Sequence, residues 1–322
     1  MDSITQAVLG AAIGEAVAGR KIGHKAAIAG AVIGTIPDLD VLFIPFLDEM
    51  TKMSFHRGYS HSILFCLVTA FLIAFAMSKI KWIGDLSYRK AWMVSFFALF
   101  THVLLDAFTT YGTQLLLPFS DWRISFDSIN IVDPIYTLPL MTGLGFSIYL
   151  YNKKDSRRSL PNNLGLIASS IYLLFTLANK QHIQKEFYNQ LKSQNLPSYG
   201  LLTVPVKIGN VQWYGVAKGD KDLYIGKYNM LNQNRIVFES FSINDDLLQT
   251  MDNNLVKKLK WVAQGYYVVT EKDNKIRVYN MQCDMQGTRT FGGYRAPTAF
   301  YYEISIDSKG ESTINTGMHP KE

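Results

Sequence analysis

The sequence predicts an α-helical integral membrane bundle of about five to six spans, followed by a small, mainly antiparallel β (α+β) soluble domain. Three observations predict it. Apolar runs dominate residues 1–180 while 195–322 have the composition of a soluble protein, so the mean hydropathy of +0.05 averages two unlike halves. Basic residues gather in alternate loops between the apolar runs. The second half carries alternating, aromatic-rich stretches separated by turn residues. The 322 residues divide accordingly into a transmembrane domain at 1–180, a polar helical linker at 181–194 and a β-rich domain at 195–322.

A bilayer core takes roughly 20 apolar residues to cross. Runs that meet or approach this are 3–19, 26–47, 61–79, 91–117, 132–151 and 164–179. The first is rich in Ala and Gly and holds Glu15, the pattern of a tightly packed helix with one partnered polar group. The last is the shortest. Loop charge then sets orientation. Arg20, Lys21 and Lys25, then Lys79, Lys81, Arg89 and Lys90, then Lys153, Lys154, Arg157 and Arg158 fall in one set of loops. The alternate loops hold Lys52, Arg57 and Arg123, so the first set is assigned to the cytoplasm. Six spans put both the N-terminus and the C-terminal domain outside the cytoplasm; five would move that domain inside.

The net charge of +6 is thereby used up in topology, and no nucleic-acid partner is expected. The start "MDSITQAVLGAAIG" has no basic leader region and reads as mature protein. Cys66 lies in an apolar run and Cys283 far away, so no disulfide joins them and neither belongs to a metal-spaced cluster. In the second half, "YYVVT" and "KIRVYNM" flank "EKDN" as a hairpin would. Neither a glycine-rich phosphate loop nor a ligand cluster appears there. His24, His182 and His319 are read as solvated.

Ionisable groups inside spans are costly, and those that persist serve function or are paired. Here they are Asp38 and Asp40 in "IPDLD" and His102 and Asp106 in "THVLLD", with His56 and His61 of "HRGYSHS" and Asp133 of "IVDPIY" at span mouths. At 1.5 Å per helical residue, Asp38 and Asp40 lie ~18–21 Å along the second span and His102 and Asp106 ~17–23 Å along the fourth. All then converge on one level in the outer half of the membrane. His102 and Asp106, four residues apart, share a helix face. Asp38 and Asp40 would diverge on a regular helix, but Pro37 can open the backbone between them and the helix before. Imidazoles with carboxylates suit zinc, and also manganese or iron, as one or two ions. Each motif alone has a blander explanation: a buried hydrogen-bonded pair, a helix-ending turn, an interfacial loop with Arg57 reaching for headgroups. Their agreement in depth favours a metal site.

These motifs, in order from "MDSITQAVLGAAIGEAVAGRKIGHKAAIAGAVIGTIPDLDVL" through "HRGYSHS", "HVLLDAFTTYGTQLLLPFS" and "IVDPIYTLPL", resemble the membrane-bound metal-dependent hydrolases of the YdjM–YbcI group, also described as LexA-binding. The resemblance covers most of residues 1–180. It implies a multi-pass protein of the bacterial inner membrane with a divalent metal and hydrolase activity. Its polar motif residues fall on Asp38, Asp40, His56, His61, His102 and Asp106. One departure is Gln6, where many members have histidine. The HxxxD helix is also locally similar to zinc phospholipase C and related nucleases, which is analogy only.

The expected function is metal-assisted hydrolysis of a phosphoester or lipid-like substrate at the outer membrane face. The six residues above supply ligands, with Asp38 or Asp40 free as general base. Arg57 and Arg123 are expected to hold an anionic headgroup, and Asp133 to orient a ligand histidine. The loop "YGTQLLLPFSDWRISFDSIN" forms the rim. The alternatives are a non-catalytic scaffold or binding protein with a structural metal, and a divalent-cation transporter, against which stands the lack of an evident inverted repeat. A serine hydrolase using Ser60 or Ser62 lacks a G-x-S-x-G elbow.

Overall fold

The computed structural model describes residues 1–155, 157–206, 208–232, 234–272, 275–282, 289–291, 294–296, 298, 300–306 and 312–319. Cys283, and with it the expectation about a disulfide, lies outside them. The chain forms two compact units: Met1–Pro45 with Phe55–Ala178, and Phe46–Ser54 with Asn179–Glu322.

Glycines at four-residue spacing set the first contact in the helical unit. Helix α1 (Ser3–Ile22) carries Gly10 and Gly14, and α2 (Lys25–Gly34) carries Gly30 and Gly34. A β-carbon on Gly10 would sit 2.3 Å from the Gly30 carbonyl oxygen, and one on Gly30 2.1 Å from that of Gly10. Only hydrogen fits, and the backbones touch as small-residue pairs do in lipid. The same device joins α6 (Pro134–Asn152) to α7 (Ser159–Ser193) through Gly143 and Gly165.

Between α4 (Ile63–Lys79) and α5 (Tyr88–Ala107) the seam is Cys66, Ala70 and Ala74 against Ala91, Val94, Ala98 and Leu99, all essentially sealed from solvent. Their outward faces are apolar too: Val68, Phe71, Leu72 and Phe75 on α4 stand exposed, as do Ile167, Ile171 and Leu174 on α7. Apolar surface facing out and small residues facing in is the pattern of helices solvated by lipid tails.

Three helices are long and apolar enough to cross a membrane: Lys25–Phe46, Tyr88–Ala107 and Ser159–Ser193. A fourth crossing arises if Glu49–His61 and Ile63–Lys79, bent by 53°, act as one. The expected five to six spans thus reduce to three or four by this measure among the described residues. The expected 91–117 run stops being helical after Ala107. The run 132–151 is helical as α6 but falls outside that set.

Glu15, three per cent exposed inside α1, is partnered as expected. Arg158 donates to its Oε1 at 2.7 Å and also to the Gly19 carbonyl at 2.6 Å.

In the second unit, β1 (Gly200–Pro205), β2 (Gln212–Lys218), β3 (Asp222–Asn229) and β4 (Phe238–Ser242) form an antiparallel sheet in sequence order. Strands β5 (Tyr267–Lys272), β6 (Lys275–Asn280), β9 (Phe300–Ile306) and β10 (Ser312–Met318) form another, ordered β10-β9-β6-β5. A separate two-stranded ladder joins β7 (Arg289–Phe291) to β8 (Tyr294–Ala296). The β5–β6 pairing is the expected hairpin, with Tyr267 opposite Asn280.

Alternation buries both faces of the first sheet. Tyr214 and Val216 join Val268, Val278, Ile304 and the apolar side of α8 (Asn253–Val262), Leu255 and Leu259, in the main core. Trp213 and Tyr228 turn the other way, onto Ile183 and Phe187. These two belong to the stretch 181–194, which was expected to be a linker. It is the end of α7, and its apolar residues at four-residue spacing cover a sheet face. The segment Phe46–Ser54 also belongs to this unit: Met53, on α3 (Glu49–Phe55), is buried in the main core. His319, expected to be solvated, is buried, its ring within hydrogen-bonding distance of the Tyr279 hydroxyl at 3.0 Å.

Candidate metal centre

Four segments of the helical unit build the site. After α2 the chain meets Pro37 and tightens into a 3-10 helix, Pro37–Phe46, which carries Asp38 and Asp40. The tighter winding lets both carboxylates serve one region, as the proline suggested. "HRGYSHS" folds as a turn followed by the 3-10 segment Tyr59–His61. Arg57 there has φ of 61°, a left-handed conformation rare for a non-glycine residue. That backbone cost, of order 1–3 kcal/mol, turns the Arg57 N–H toward Asp40 Oδ2 at 3.3 Å. The third contributor, α5, presents His102 and Asp106 on one face, both one per cent exposed. The fourth, the loop after α5, is stitched to the motif by Gln114 N–H donating to the Arg57 carbonyl and Ile63 N–H to the Leu115 carbonyl.

Asp38, His61, His102 and Asp106 converge, each with one ligand atom within 4.8 Å of all the others. His61 Nε2 lies 3.4 Å from Asp38 Oδ1, 3.3 Å from Asp106 Oδ2 and 3.4 Å from His102 Nε2. His102 Nε2 lies 3.5 Å from Asp38 Oδ1 and 3.8 Å from Asp106 Oδ2. Hydrogen bonding accounts poorly for this set. One imidazole N–H cannot serve three acceptors, each contact exceeds the usual N–H···O length of about 2.9–3.0 Å, and the buried Asp106 Oδ2, though 3.1 Å from Arg57 Nε, accepts no well-formed hydrogen bond among the described residues.

A tetrahedral cation accounts for it well. Bonds of about 2.0–2.1 Å imply edges of about 3.3–3.4 Å between ligand atoms; four of the six edges lie at 3.3–3.5 Å, and His102–Asp106 is wider at 3.8 Å.

The surrounding groups orient those atoms. His102 Nδ1–H donates to the Gly34 carbonyl at 2.6 Å, which leaves Nε2 with its lone pair facing the centre. His61 Nδ1 faces Ser60 Oγ at 2.9 Å and Asp40 Oδ2 at 3.5 Å. Ser60 donates to Asp40 Oδ2 at 2.7 Å, and His56 Nδ1 meets Asp40 Oδ1 at 2.8 Å. Asp40 and His56 therefore stand behind His61, outside the four converging atoms. Gln6 Nε2 donates to Asp106 Oδ1 at 3.0 Å and to the His102 carbonyl. The Met1 amino group also contacts Asp106 Oδ1.

The two arginines expected to hold a headgroup have inward duties. Arg57 is buried, with Nε 3.1 Å from Asp106 Oδ2 and Nη1 donating to Thr109 Oγ1 at 2.8 Å. Arg123 donates to the Tyr111 carbonyl, and both guanidinium groups pack on the Tyr111 ring. Asp133 is the N-cap of α6: Oδ1 accepts from Ile135 N–H at 3.0 Å, and Oδ2 from the Tyr172 hydroxyl at 2.7 Å. The Gly34 carbonyl and Tyr111 were missed from the sequence, and Ser60 was weighed only as a nucleophile. A backbone carbonyl carries no residue signature, whereas Ser60, directly before His61, was open to suspicion as its orienting partner.

The model of the YdjM inner membrane protein family matches residues 1–183, more than half of the chain. The chain belongs to that family. Inner membrane protein YbcI of Escherichia coli is 32% identical over 126 residues, 37% of this chain and 69% of that protein. The uncharacterised protein YfhP of Bacillus subtilis is 31% identical over 141 residues. That match spans 42% of this chain and 42% of YfhP. No solved structure matches. The matched region contains every converging residue, and all the strands of the β unit lie beyond it.

Proposed function

We propose that this YdjM-family protein is a metal-dependent hydrolase of the inner membrane acting on a phosphoester of lipid-like character. The single observation that supports the metal is the convergence of Asp38, His61, His102 and Asp106, with five ligand-atom distances of 3.3–3.8 Å. The donor set, two imidazoles and two carboxylates, is that of zinc, with manganese or iron also suited. When bound, such a cation supplies Lewis acidity toward a phosphoryl oxygen and a water acidified toward neutral pH.

The chain's own residues divide the remaining work. His61, His102 and Asp106, almost wholly buried, hold and insulate the cation. Asp38, the one member with appreciable exposure (22% of its side chain), is the carboxylate that would take a proton from a water as general base. Asp40 and Ser60 fix the His61 ring. Arg57, its Nε 3.1 Å from Asp106 Oδ2, partly offsets the charge of the carboxylates around it. A phosphoester fits because its developing charge is what a cation stabilises most, and a lipid-like substrate fits a site reached from an apolar bundle. The test is turnover of a panel of phospholipid and lipid-linked phosphoesters by detergent-purified protein. Metal-dependent release of phosphate or headgroup, lost in Asp38→Asn, is the expected result; no turnover with metal bound counts against it.

A structural metal is the second reading, favoured by the completeness of the four-ligand set, since closed tetrahedral sites are generally structural. It expects Asp38→Asn to lower thermal stability, with no activity to lose.

A further inference from the structure

A second site lies in the β unit, away from any chemistry assigned so far. At the ends of β2 and β3 and the segment after β3 is a cavity of about 630 Å³, within the range of pockets that hold small organic ligands. Its wall includes the buried Tyr214 and the side chains of Gln212, Lys227, Asn232, Asn234 and Arg235. Arg235, Asn232, Asn234 and Gln212 make no side-chain hydrogen bond or ion pair among the described residues. Among the described residues the Lys227 ammonium meets only the Tyr214 ring, 5.1 Å from the centroid.

This is an unusual inventory for a surface hollow. Of the four carboxamides that line it, Asn229 accepts from Leu231 N–H, and Gln212, Asn232 and Asn234 each offer both donors and an acceptor, the pattern that matches neighbouring hydroxyls, which also donate and accept. The aromatic wall suits the C–H face of a ring. Two cations, one a planar fork, suit a phosphate or carboxylate. Among the described residues no acid lines the cavity to repel an anion. An apolar ligand would strand the amides, and a bare anion would use only Arg235 and Lys227, leaving most of the volume unfilled.

We propose that this cavity binds an anionic saccharide, a hexose bearing a phosphate or carboxylate, and gives the β unit a recognition role of its own. The proposal does not depend on the metal site.

The test is calorimetric titration of the full chain in detergent with glucose 1-phosphate, glucuronate, glucose and inorganic phosphate. At least one of the two anionic hexoses should bind about tenfold or more tightly than both glucose and phosphate. Arg235→Gln should bring it down to the level of glucose, and Asn234→Ala should weaken glucose and the anionic hexose alike. Both changes lie at exposed positions, and an unchanged circular dichroism spectrum establishes that they fold. Equal affinity for phosphate and the anionic hexoses would show an anion site only, and binding that survives Arg235→Gln would belong elsewhere. Either result, or no binding by either anionic hexose, overturns the proposal.

Discussion

Replacing Gly30 by alanine tests how the helix crossing supports the metal centre. The new β-carbon would lie 2.1 Å from the Gly10 carbonyl oxygen, a backbone atom that no rotamer change can move. Carbon–oxygen contact is comfortable only from about 3.3 Å, so α1 and α2 must part by roughly 1 Å. Gly34, one turn further along α2, holds His102 Nδ1 at 2.6 Å through its carbonyl, and a displacement of that size stretches the bond toward ~3.6 Å, beyond useful hydrogen bonding. Overpacking costs ~1–3 kcal/mol and the lost hydrogen bond ~1 kcal/mol, so a total of ~2–4 kcal/mol is expected. Thermal unfolding in one detergent, followed by circular dichroism, should show a fall of roughly 4–16 °C. Metal affinity should fall with it. Gly145→Ala is the control, because nothing lies within 4 Å of the added carbon. If Gly30→Ala melts with Gly145→Ala and the wild type, the close crossing does not support the site and the reasoning fails.

Other outcomes follow from other contacts. Asp40→Asn keeps the four converging atoms but weakens the support behind His61, so metal affinity should drop about 10–100-fold in a competition titration with a chelator. Arg158→Ala leaves the Glu15 carboxylate buried without its cation and should cost about 3–5 kcal/mol, visible as a lower unfolding temperature. Glu15→Gln in the same background should recover part of it. Met53→Ala removes a side chain from the core of the β unit, at about 2–5 kcal/mol, read by denaturant unfolding. Burial, with Arg277 and Lys272 nearby, holds the His319 imidazole below its ordinary value of 6.5. Below 6.5 the unfolded chain takes up a proton that the folded unit resists. Stability is therefore intact above about 6.5 and falls as the pH drops through the lowered folded value. His319→Gln should flatten the unfolding curve in that window and leave the carboxylate losses at lower pH.

The chemistry of the centre was legible because its residues are out of place. Histidine and aspartate within apolar runs are costly enough to announce themselves, and the four-residue spacing of His102 and Asp106 put them on one face without any knowledge of the fold. The division of labour among six candidates was not legible. That Asp38 faces the centre while Asp40 stands behind His61 depends on the 3-10 winding after Pro37 and the left-handed turn at Arg57, which no period in the sequence encodes. Arg57 and Arg123 were expected at a headgroup because a guanidinium matches phosphate geometry; in the fold Arg57 meets the buried Asp106 and both pack on the Tyr111 ring. The Ala and Gly of α1 signalled close packing, and the structure supplies the partner, Gly30 and Gly34 of α2. The 181–194 stretch misled because its many polar residues mask Ile183, Phe187 and Leu191, which is all one helix face needs to cover a sheet.

Elemental analysis of the purified chain, wild type beside His61→Ala, His102→Ala and Asp106→Ala, bears most directly on whether four side chains share one cation. About one divalent ion per wild-type chain, lost in all three variants and retained in Arg235→Gln, is the predicted result. Metal-free wild-type protein after purification without chelators and reloading with zinc or manganese, or metal content unchanged by the three substitutions, would contradict the account.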